Sequence, residues 1–424
     1  MTASPAAETE REDWKNTILA GLANYIDAGS IVAGAGALAL WMEAYKISPT
    51  LVGVIAALGP NAIAAGLGAM IGGRLCDLFG RKRIYQYDML FYAFGMLWLV
   101  FAMNVWMIVL GFFLVGLAVG ADIPASWSLI AENAPKGKRG KHSGVAQLLW
   151  YLGPVVVLLL LLALTPLGLL GARIVFAHLA IMALVLTFMR SKMHESERWL
   201  EAQAKSEVTS GEPKARVRDL FTRQHIGSMA FLIGMYLFWN LWAGTNGFFL
   251  PYILRTVGAQ TQAMAVALQT MSFFVGMLSI GFVFMRISDK VNQRALFLAS
   301  AVIQIVGMAL LAIFPLTLPV AILHVFMMAF GSGFGAQAFF QLWSSEMFPT
   351  LLRSTAQGVM FAIVRIALGF FSFFVPILTA TGFTALAWIL TGFLVVSGLI
   401  GFIWAPRNEG KSLEQLEDEI RARA

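Results

Sequence analysis

Three charged side chains lie far from the ends of long apolar stretches of the sequence, where a charge is unfavourable. Asp27 and Asp122 carry carboxyl groups, and Arg365 carries a guanidinium group. A charged side chain at the centre of a bilayer costs about 2.5–3.5 kcal/mol on insertion scales. Burial favours the neutral form of a carboxyl group, so a buried Asp can take up a proton near neutral pH. Asp27 and Asp122 are therefore candidate proton-coupling residues.

Each of these residues also has an alternative interpretation. Asp27 could have a purely structural role, and Asp122 could satisfy backbone groups freed by Pro124, two residues later. Arg365 could neutralise Asp27 or Asp122 across a cavity, or it could bind an anionic substrate. The role of Arg365 thus separates a neutral substrate from an anionic one.

The stretches that hold these residues are predicted to be transmembrane helices. Hydrophobic residues make up 59% of the 424 residues and charged residues 12%, whereas a soluble domain has about 25% charged residues. A helical span needs about 20 apolar residues, and barrel strands would instead alternate over about ten. The twelve predicted spans are 17–43, 50–72, 84–103, 105–131, 142–166, 172–190, 226–254, 262–285, 295–314, 318–342, 354–379 and 384–405.

The basic residues predict the orientation of these spans. With both termini in the cytoplasm, 26 of the 30 Lys and Arg residues fall on the cytoplasmic side. Lys46, Arg173 and Arg255 fall outside, and Arg365 lies within a span. Cytoplasmic loops carry such an excess of basic residues. The net charge of +7 therefore reflects topology, and no nucleic-acid partner is expected.

One long polar stretch divides the chain into six spans on either side. It is rich in Glu, Lys, Ser, Thr, Gly and Pro, which is typical of a linker. We predict an N-terminal six-helix bundle at 1–190, a cytoplasmic linker at 191–224, and a C-terminal six-helix bundle with a cytoplasmic tail at 225–424. Two such halves would hold a substrate site between them near the bilayer midplane.

A charged motif follows the second span and recurs in weaker form after the eighth. Residues 73–83 read Gly-Arg-Leu-Cys-Asp-Leu-Phe-Gly-Arg-Lys-Arg, and residues 286–294 read Arg-Ile-Ser-Asp-Lys-Val-Asn-Gln-Arg. An Asp followed by a tight turn and basic residues fits a junction between helices, because the Asp can pair with a helix N-terminus or a neighbouring Arg. A solvated charged loop is the alternative, and it does not explain the repetition.

This motif resembles the loop 2–3 signature of the major facilitator superfamily, and the resemblance covers nearly the whole chain. More specific motifs resemble its sugar porter branch. They are Glu132 with Arg139-Gly140 after span 4, Glu195–Leu200 after span 6, Glu346–Arg353 after span 10 and Pro406–Glu414 in the tail. The resemblance implies an all-α membrane protein with twelve transmembrane helices in two six-helix bundles, and with both termini cytoplasmic.

In that family, cytoplasmic ion pairs hold the inward-facing gate shut, and the resemblance implies this role here. Such residues control the conformation of the transporter and do not bind its substrate. Breaking their ion pairs would bias the rocking of the two halves. The candidate gating residues are Arg74, Asp77, Arg81, Glu132, Arg139, Glu346 and Arg353.

Amide and indole side chains within the spans are candidate substrate ligands by the same resemblance. In sugar porters, a Gln in span 5 and a polar motif in span 7 bind sugar hydroxyl groups. Amides both donate and accept hydrogen bonds, which suits polyols; the alternatives are contacts between helices for the amides and interfacial positions for the Trp residues. The candidate substrate-binding residues are Gln147, Trp150, Trp239, Asn240, Asn246, Gln337, Gln341 and Arg365.

One position departs from the family pattern. In proton-coupled sugar porters, an Asp in span 1 carries the proton and pairs with an Arg in span 4. That Arg position falls on Phe112 here. Span 4 carries Asp122 instead, which is more similar to the phosphate and organic-ion branches. Asp27 and Asp122 therefore both stand as proton-coupling candidates.

We predict a proton-coupled symporter that works by alternating access on a small polar metabolite, most simply a sugar or a cyclic polyol such as inositol. The alternative substrate is a small organic anion, either a sugar acid or an aromatic carboxylate. A non-transporting sensor and a facilitator without proton coupling are further alternatives. The expected partners are the substrate, protons and the lipid bilayer, for a monomer that crosses a plasma membrane (a bacterial inner membrane) many times.

Enzymatic activity is not predicted. The sequence has no nucleotide-binding loop of the Walker type, and its His residues lack the spacing of metal ligands. The single cysteine, Cys76, excludes a disulfide framework. We therefore expect no cofactor, no metal and no catalytic residues.

Overall fold

The computed structural model describes residues 5–135, 137–191, 193, 195–210, 216–406, 411 and 413–422. Within these residues all regular secondary structure is helical, and the predicted all-α fold is confirmed. Residues 407–410 and 412 of the predicted tail motif lie outside the described ranges.

Sixteen helices follow one another in the described chain, and we number them in order. They are α1 (Pro5–Tyr45), α2 (Pro49–Leu58), α3 (Ile63–Phe79), α4 (Arg81–Val100), α5 (Val105–Asn133), α6 (Arg139–Ala163), α7 (Leu169–Arg190), α8 (Glu197–Ser210), α9 (Arg223–Thr256), α10 (Gln262–Ser279), α11 (Met285–Ile287), α12 (Gln293–Ile313), α13 (Leu318–Gly333), α14 (Ala336–Glu346), α15 (Thr350–Trp404) and α16 (Leu413–Ala422).

Eleven helical stretches among the described residues are long and apolar enough to cross a membrane. The sequence predicts twelve, and the remaining predicted span, 84–103, corresponds largely to α4. This helix has 20 residues, and its first eight include Arg81, Lys82, Arg83 and Asp88. These charges lower the mean hydropathy of α4 below that of the other long helices.

Several predicted spans are interrupted in the structure. Residues 59–62 separate α2 from α3, and Phe334 and Gly335 separate α13 from α14. A π-helical turn, Ile280–Phe284, follows α10. The last two predicted spans lie in α15, which bends at the non-helical Gly382. Irregular backbone at membrane depth is tolerated where it is buried in protein or lines a cavity, so these interruptions indicate where a site can form.

Glycine allows α3 to approach two other helices closely. A Cβ atom at Gly120 of α5 would lie 2.0 Å from the Ala65 carbonyl oxygen of α3. A Cβ atom at Gly358 of α15 would lie 2.2 Å from the Ala69 carbonyl oxygen, also in α3. Small residues permit such backbone contact between membrane helices. Helix α3 therefore joins α5 on one side to α15 on the other.

The turn between α3 and α4 also depends on a glycine. Gly80 has a φ angle of 96°, which residues with a side chain rarely adopt. The turn brings the backbone nitrogen of Arg81 within 3.0 Å of the Glu195 carboxylate. The glycine of the charged motif thus directs the following basic residues back towards the helix bundle.

Candidate functional site

A central cavity of about 40 Å³ lies between helices from the two ends of the chain. Small-molecule pockets typically have roughly 300–1,000 Å³, so the cavity is constricted in this conformation and must widen to admit a metabolite. Its wall includes residues of α1, α6, α9, α10, α14 and α15, and Asn61 from the break between α2 and α3. The predicted ligands on this wall are Trp150, Trp239, Asn240, Gln337 and Arg365.

Arg365 is the cationic side chain on the cavity wall. Its Nη1 atom donates a hydrogen bond to the Asn61 carbonyl oxygen at 2.9 Å and another to the Asn61 side-chain oxygen. The guanidinium lies 4.6 Å above the centre of the Phe361 ring. Its Nε atom is buried and has no hydrogen-bond partner among the described residues. Arg365 therefore retains a donor for a ligand.

The structure does not pair Arg365 with an acidic residue of the membrane interior. The ion pair of Asp122 is with Arg190, at 3.1 Å, and the hydrogen bonds of Arg365 are to Asn61 and to Tyr236. The prediction that Arg365 neutralises Asp27 or Asp122 is therefore wrong for this conformation. Its charge faces the cavity instead.

Amide groups provide further polarity on the cavity wall. Asn240 is buried, and its side-chain oxygen has no hydrogen-bond partner among the described residues. The Gln337 side-chain oxygen accepts a hydrogen bond from the Tyr236 hydroxyl at 2.7 Å, which orients the amide. A buried acceptor without a partner is unfavourable by about 1–3 kcal/mol. A ligand hydroxyl at Asn240 would remove that penalty.

Aromatic rings form another part of the wall. Trp239 donates its indole N–H to the Gln304 side-chain oxygen at 2.8 Å, which fixes the ring. Trp150 packs against Phe273, with 6.1 Å between ring centres, and both rings line the cavity. The faces of such rings can contact the C–H groups of a polyol while the amides bind its hydroxyl groups.

Three predicted ligands lie away from this cavity wall. Gln147 donates to the side-chain oxygen of Gln341 at 2.5 Å, so these two amides bind each other across α6 and α14. Gln341 lines a separate, smaller cavity of about 10 Å³ that is also lined by Ser143. Asn246 is half-buried on α9, outside the central cavity. In this conformation the structure therefore does not bring Gln147, Gln341 and Asn246 together with the other candidates.

Four predicted gating residues form a buried ion-pair network near the ends of their helices. Arg81 lies 3.0 Å from Asp77 and 3.0 Å from Glu132. Arg353 lies 2.9 Å from the same Glu132 oxygen. All four side chains are at most 1% exposed. The network joins α3, α4 and α5 to α15, so it connects the N-terminal helices to the C-terminal ones.

The remaining ion pair of the predicted gate lies beside this network. Arg139 at the start of α6 lies 2.7 Å from Glu346 at the end of α14. Arg74 is half-buried on α3, about one helical turn before Asp77. The predicted gating residues therefore gather at one end of the helices, and the pairs of Arg139 and Arg353 cross between the two ends of the chain.

In both copies of the repeated motif, the Asp side chain accepts hydrogen bonds from backbone nitrogen atoms at the start of another helix. Asp77 accepts hydrogen bonds from the backbone nitrogen and the hydroxyl of Thr355 in α15, both at 2.7 Å. Asp289 accepts from the backbone nitrogens of Gly140 and Lys141, at 2.8 and 2.9 Å, at the start of α6. Burial raises the pKa of the Asp289 carboxyl above its ordinary value, although these two donors oppose the rise.

The motif after the sixth predicted span supports the same region. Glu195 accepts hydrogen bonds from the backbone nitrogens of Arg81 and Lys82, at 3.0 and 3.1 Å. Trp199 donates its indole N–H to the Asp77 carbonyl oxygen at 3.2 Å. This motif therefore fixes the turn that carries Asp77 and Arg81.

The two candidate proton-coupling residues lie in the interior of the N-terminal helices. Asp27 is 2% exposed and Asp122 is 0% exposed. Neither carboxylate oxygen of Asp27 has a hydrogen-bond partner among the described residues. Asp122 pairs with Arg190 at the end of α7. Arg190 thus supplies a positive charge in this region, whereas the position of the family's span-4 Arg is occupied by Phe112.

Two charged residues of this region, Arg190 and Asp88, belong to none of the motifs that the sequence displays. Arg190 was assigned to the boundary of a predicted span and the linker, although its side chain is 1% exposed and points into the bundle. Asp88 lies within the predicted span 84–103 and is 7% exposed. An acidic residue inside a predicted span is a signal that could have identified Asp88 from the sequence.

Comparisons with known proteins agree with this arrangement. A family model described as the Major Facilitator Superfamily matches residues 17–367. The minor myo-inositol transporter IolF of Bacillus subtilis (strain 168) is 44% identical over 411 residues, which cover 96% of this chain and 94% of that protein. The major myo-inositol transporter IolT of the same organism is 26% identical, and the match covers 84% of each chain.

Solved structures of a xylose transporter resemble the fold. The proton:xylose symporter XylE bound to 6-bromo-6-deoxy-D-glucose matches with a TM-score of 0.82 at 19% identity, over 97% of this chain and 99% of that chain. An inward-open conformation of XylE from E. coli matches with a TM-score of 0.67 at 20% identity, over 96% and 98%. At these identities the likeness concerns the fold alone.

Proposed function

Because this chain belongs to the major facilitator superfamily, we propose that it carries a cyclic polyol, myo-inositol or a close relative, across the membrane together with a proton. The chain is a transporter and not an enzyme. The observation that carries the substrate class is the 44% identity, over nearly the whole chain, to a protein named as a myo-inositol transporter. The central cavity supplies the chemistry that such a substrate needs.

The polar groups of the cavity fit a neutral molecule with many hydroxyl groups. Asn240 offers an acceptor, Arg365 offers a donor and Gln337 offers an amide that Tyr236 orients. A hydroxyl group both donates and accepts, so a polyol can satisfy all three. The relatives do not favour the alternative, a small organic anion, although Arg365 alone would allow it.

The ion pairs near the helix ends support transport by alternating access. In this conformation, Glu132 and Arg353, like Arg139 and Glu346, join helices that the sequence assigns to opposite bundles. We assign these pairs to a closed cytoplasmic gate.

The finer organisation follows from the same proposal. We take α4 as the third of twelve transmembrane helices, with both termini in the cytoplasm. The N-terminal bundle then comprises 1–190, the linker 191–224, and the C-terminal bundle and tail 225–424. The location that suits such a protein is a bacterial inner membrane, in which it works as a monomer.

Uptake into proteoliposomes tests the proposed function. Purified protein in vesicles should accumulate labelled myo-inositol when the outside is more acidic than the inside. A protonophore should remove the accumulation without removing equilibration of the label. Uptake of a sugar acid or aromatic carboxylate but not of myo-inositol would contradict the substrate class, and accumulation that survives the protonophore would contradict proton coupling.

Replacing Arg365 with Ala should weaken myo-inositol binding. A hydrogen bond to a charged group contributes about 1.5–3 kcal/mol, which corresponds to a roughly 10- to 150-fold higher Kd. Trp150 and Trp239 line the same cavity, so quenching of intrinsic fluorescence during a myo-inositol titration can measure the Kd. Arg255→Ala, at the exposed end of α9, is the matched control, and a Kd that is equal in both variants would remove Arg365 from the site.

A further inference from the structure

A buried cluster of three carboxyl groups and one guanidinium group lies beside the central cavity. Its members are Asp27 of α1, Asp88 of α4, Asp122 of α5 and Arg190 of α7, and we call it the acid cluster. All four residues are at most 7% exposed. The Asp27 carboxyl group interacts electrostatically with Asp122 and Arg190. Asp27 directly precedes Ala28, which lines the cavity, so α1 links the cluster to the cavity wall.

Arg190 uses a single nitrogen atom for its contacts with the acids of the cluster. Its Nη1 atom lies 3.1 Å from Asp122 and 3.7 Å from Asp88, and it donates to the Tyr85 carbonyl oxygen at 3.1 Å. The Nε and Nη2 atoms are buried without a hydrogen-bond partner among the described residues. Because a guanidinium has five N–H donors, Arg190 has donors left for another carboxylate.

The free acceptors of the cluster match these free donors. Neither carboxylate oxygen of Asp27 has a hydrogen-bond partner among the described residues. The Asp88 and Asp122 carboxyl groups lie within hydrogen-bonding distance of each other, a contact that needs a proton on one of them. One guanidinium can neutralise one carboxylate, so two negative charges would remain if all three acids were ionised. Uncompensated charges away from water are strongly unfavourable. The closed conformation therefore favours a cluster that holds protons.

The other titratable groups around Asp27 do not supply a second cation at the cluster. Tyr85 stacks under the Arg190 guanidinium at 3.4 Å, and the Tyr92 hydroxyl donates to the Ile26 carbonyl oxygen at 2.8 Å. On α1, the Tyr25 hydroxyl lies 2.9 Å from His178 of α7.

A further histidine faces α1 from α6. The Nδ1 atom of His142 lies 2.7 Å from the Thr17 hydroxyl, about three helical turns before Asp27. The neighbouring elements thus present tyrosines and these two histidines, and Arg190 is the cation in contact with the acids.

We infer that Asp88 and Arg190 are part of the proton-binding site, with Arg190 as the counter-cation that the carboxyl groups of Asp27, Asp88 and Asp122 share. The inference rests on the proposed function, proton-coupled transport. Binding of one proton forms one O–H bond on a carboxylate and reduces the negative charge of the cluster by one unit. Arg190 then pairs with a carboxylate that is still ionised, as its free donors allow.

Two substitutions of opposite charge test this assignment. Asp88→Asn removes a negative charge, which weakens proton binding at the other carboxyl groups and moves the pH midpoint of uptake to lower pH. Arg190→Gln removes the positive charge and moves the midpoint to higher pH. Charges within about 4–6 Å typically shift titrations by about one to three units. The measurement is the initial rate of labelled myo-inositol uptake into proteoliposomes as a function of outside pH.

The double variant Asp88→Asn with Arg190→Gln is the sharpest control. It has the same net cluster charge as the wild type, so its midpoint should return towards the wild-type value. Glu43→Gln, which removes an exposed carboxyl group of α1, should leave the midpoint unchanged. A merely structural role for Asp88 and Arg190 would not produce opposite shifts or restoration in the double variant.

The possible results separate the inference from the proposed function. Midpoints that equal the wild-type value in both single variants, or that move in the same direction, overturn the inference. Wild-type uptake that does not depend on pH overturns proton coupling itself. If thermal unfolding shows that Arg190→Gln does not fold, the Asp88→Asn variant alone decides the inference. A shift of its pH midpoint to lower pH supports the inference, and an unchanged midpoint overturns it.

Discussion

Replacing Asp27 with Asn is expected to abolish proton-driven accumulation of substrate while substrate exchange continues. Asn resembles a protonated Asp in shape but cannot release a proton. Entry of one proton is worth about 2.3 kcal/mol per 100 mV, and 1.4 kcal/mol is one decade of concentration. The variant should therefore lose a roughly 40-fold gradient at 100 mV. The measurement compares net accumulation of labelled myo-inositol with its counterflow in proteoliposomes.

The burial of Asp27 makes this variant a clean test. Both carboxylate oxygens are unpaired among the described residues, so the substitution removes no hydrogen bond that holds the fold. Glu43→Gln in the same helix is the matched control and should accumulate substrate like the wild type. Accumulation that persists in Asp27→Asn but disappears in Asp122→Asn would transfer the coupling role to Asp122.

Replacing Glu132 with Gln is expected to open the cytoplasmic gate. The Glu132 carboxylate binds both Arg81 and Arg353 in a fully buried network. Removing one partner of a buried ion pair destabilises it by about 3–5 kcal/mol, so the closed conformation should lose at least a hundredfold of its population relative to the inward-open one. The variant should then exchange rapidly between conformations or rest open to the cytoplasm.

Cysteine labelling can measure this opening. Ser128 is fully buried. Its hydroxyl group accepts a hydrogen bond from the Ser354 hydroxyl at 2.9 Å and donates one to the Gln357 side-chain oxygen at 3.0 Å. A Ser128→Cys reporter should react with a maleimide at least ten times faster in the Glu132→Gln background. The native Cys76 is fully buried, and the chain without the reporter gives its background. Glu197→Gln, at an exposed position in α8, is the control, and equal rates in both backgrounds would count against the gating role.

The membrane helices could be predicted from the sequence because they depend on local signals, whereas the repeated motifs indicated only the type of partner that each Asp would have. Apolar runs of about 20 residues identify spans directly. The Asp of each repeated motif was expected to pair with a helix N-terminus or a neighbouring Arg. In the structure Asp77 pairs with Arg81 and Thr355, and Asp289 with the start of α6.

The partners of the buried charges could not be predicted, because they depend on which helix faces are packed together. Arg190 lies 68 positions from Asp122 in the chain, and only the packing of α4, α5 and α7 brings them together. Similarly, Gln147 and Gln341 satisfy each other across α6 and α14, although each alone resembles a sugar ligand. A count of polar residues along the chain contains no information about such pairings.

The contact between Arg365 and Asn61 means that a residue of the protein already accepts the hydrogen bonds of the Arg365 Nη1 atom in the cavity wall. Arg365 holds both oxygens of Asn61, and these residues belong to opposite ends of the chain. A hydroxyl group that binds the Nη1 atom must take the place of Asn61, so binding exchanges one hydrogen bond for another and the net affinity is smaller than the contacts suggest. The same exchange removes hydrogen bonds that join the segment 59–62 to α15. Replacement of Asn61 by a substrate hydroxyl group would therefore remove one contact between the two halves at the point where the substrate binds.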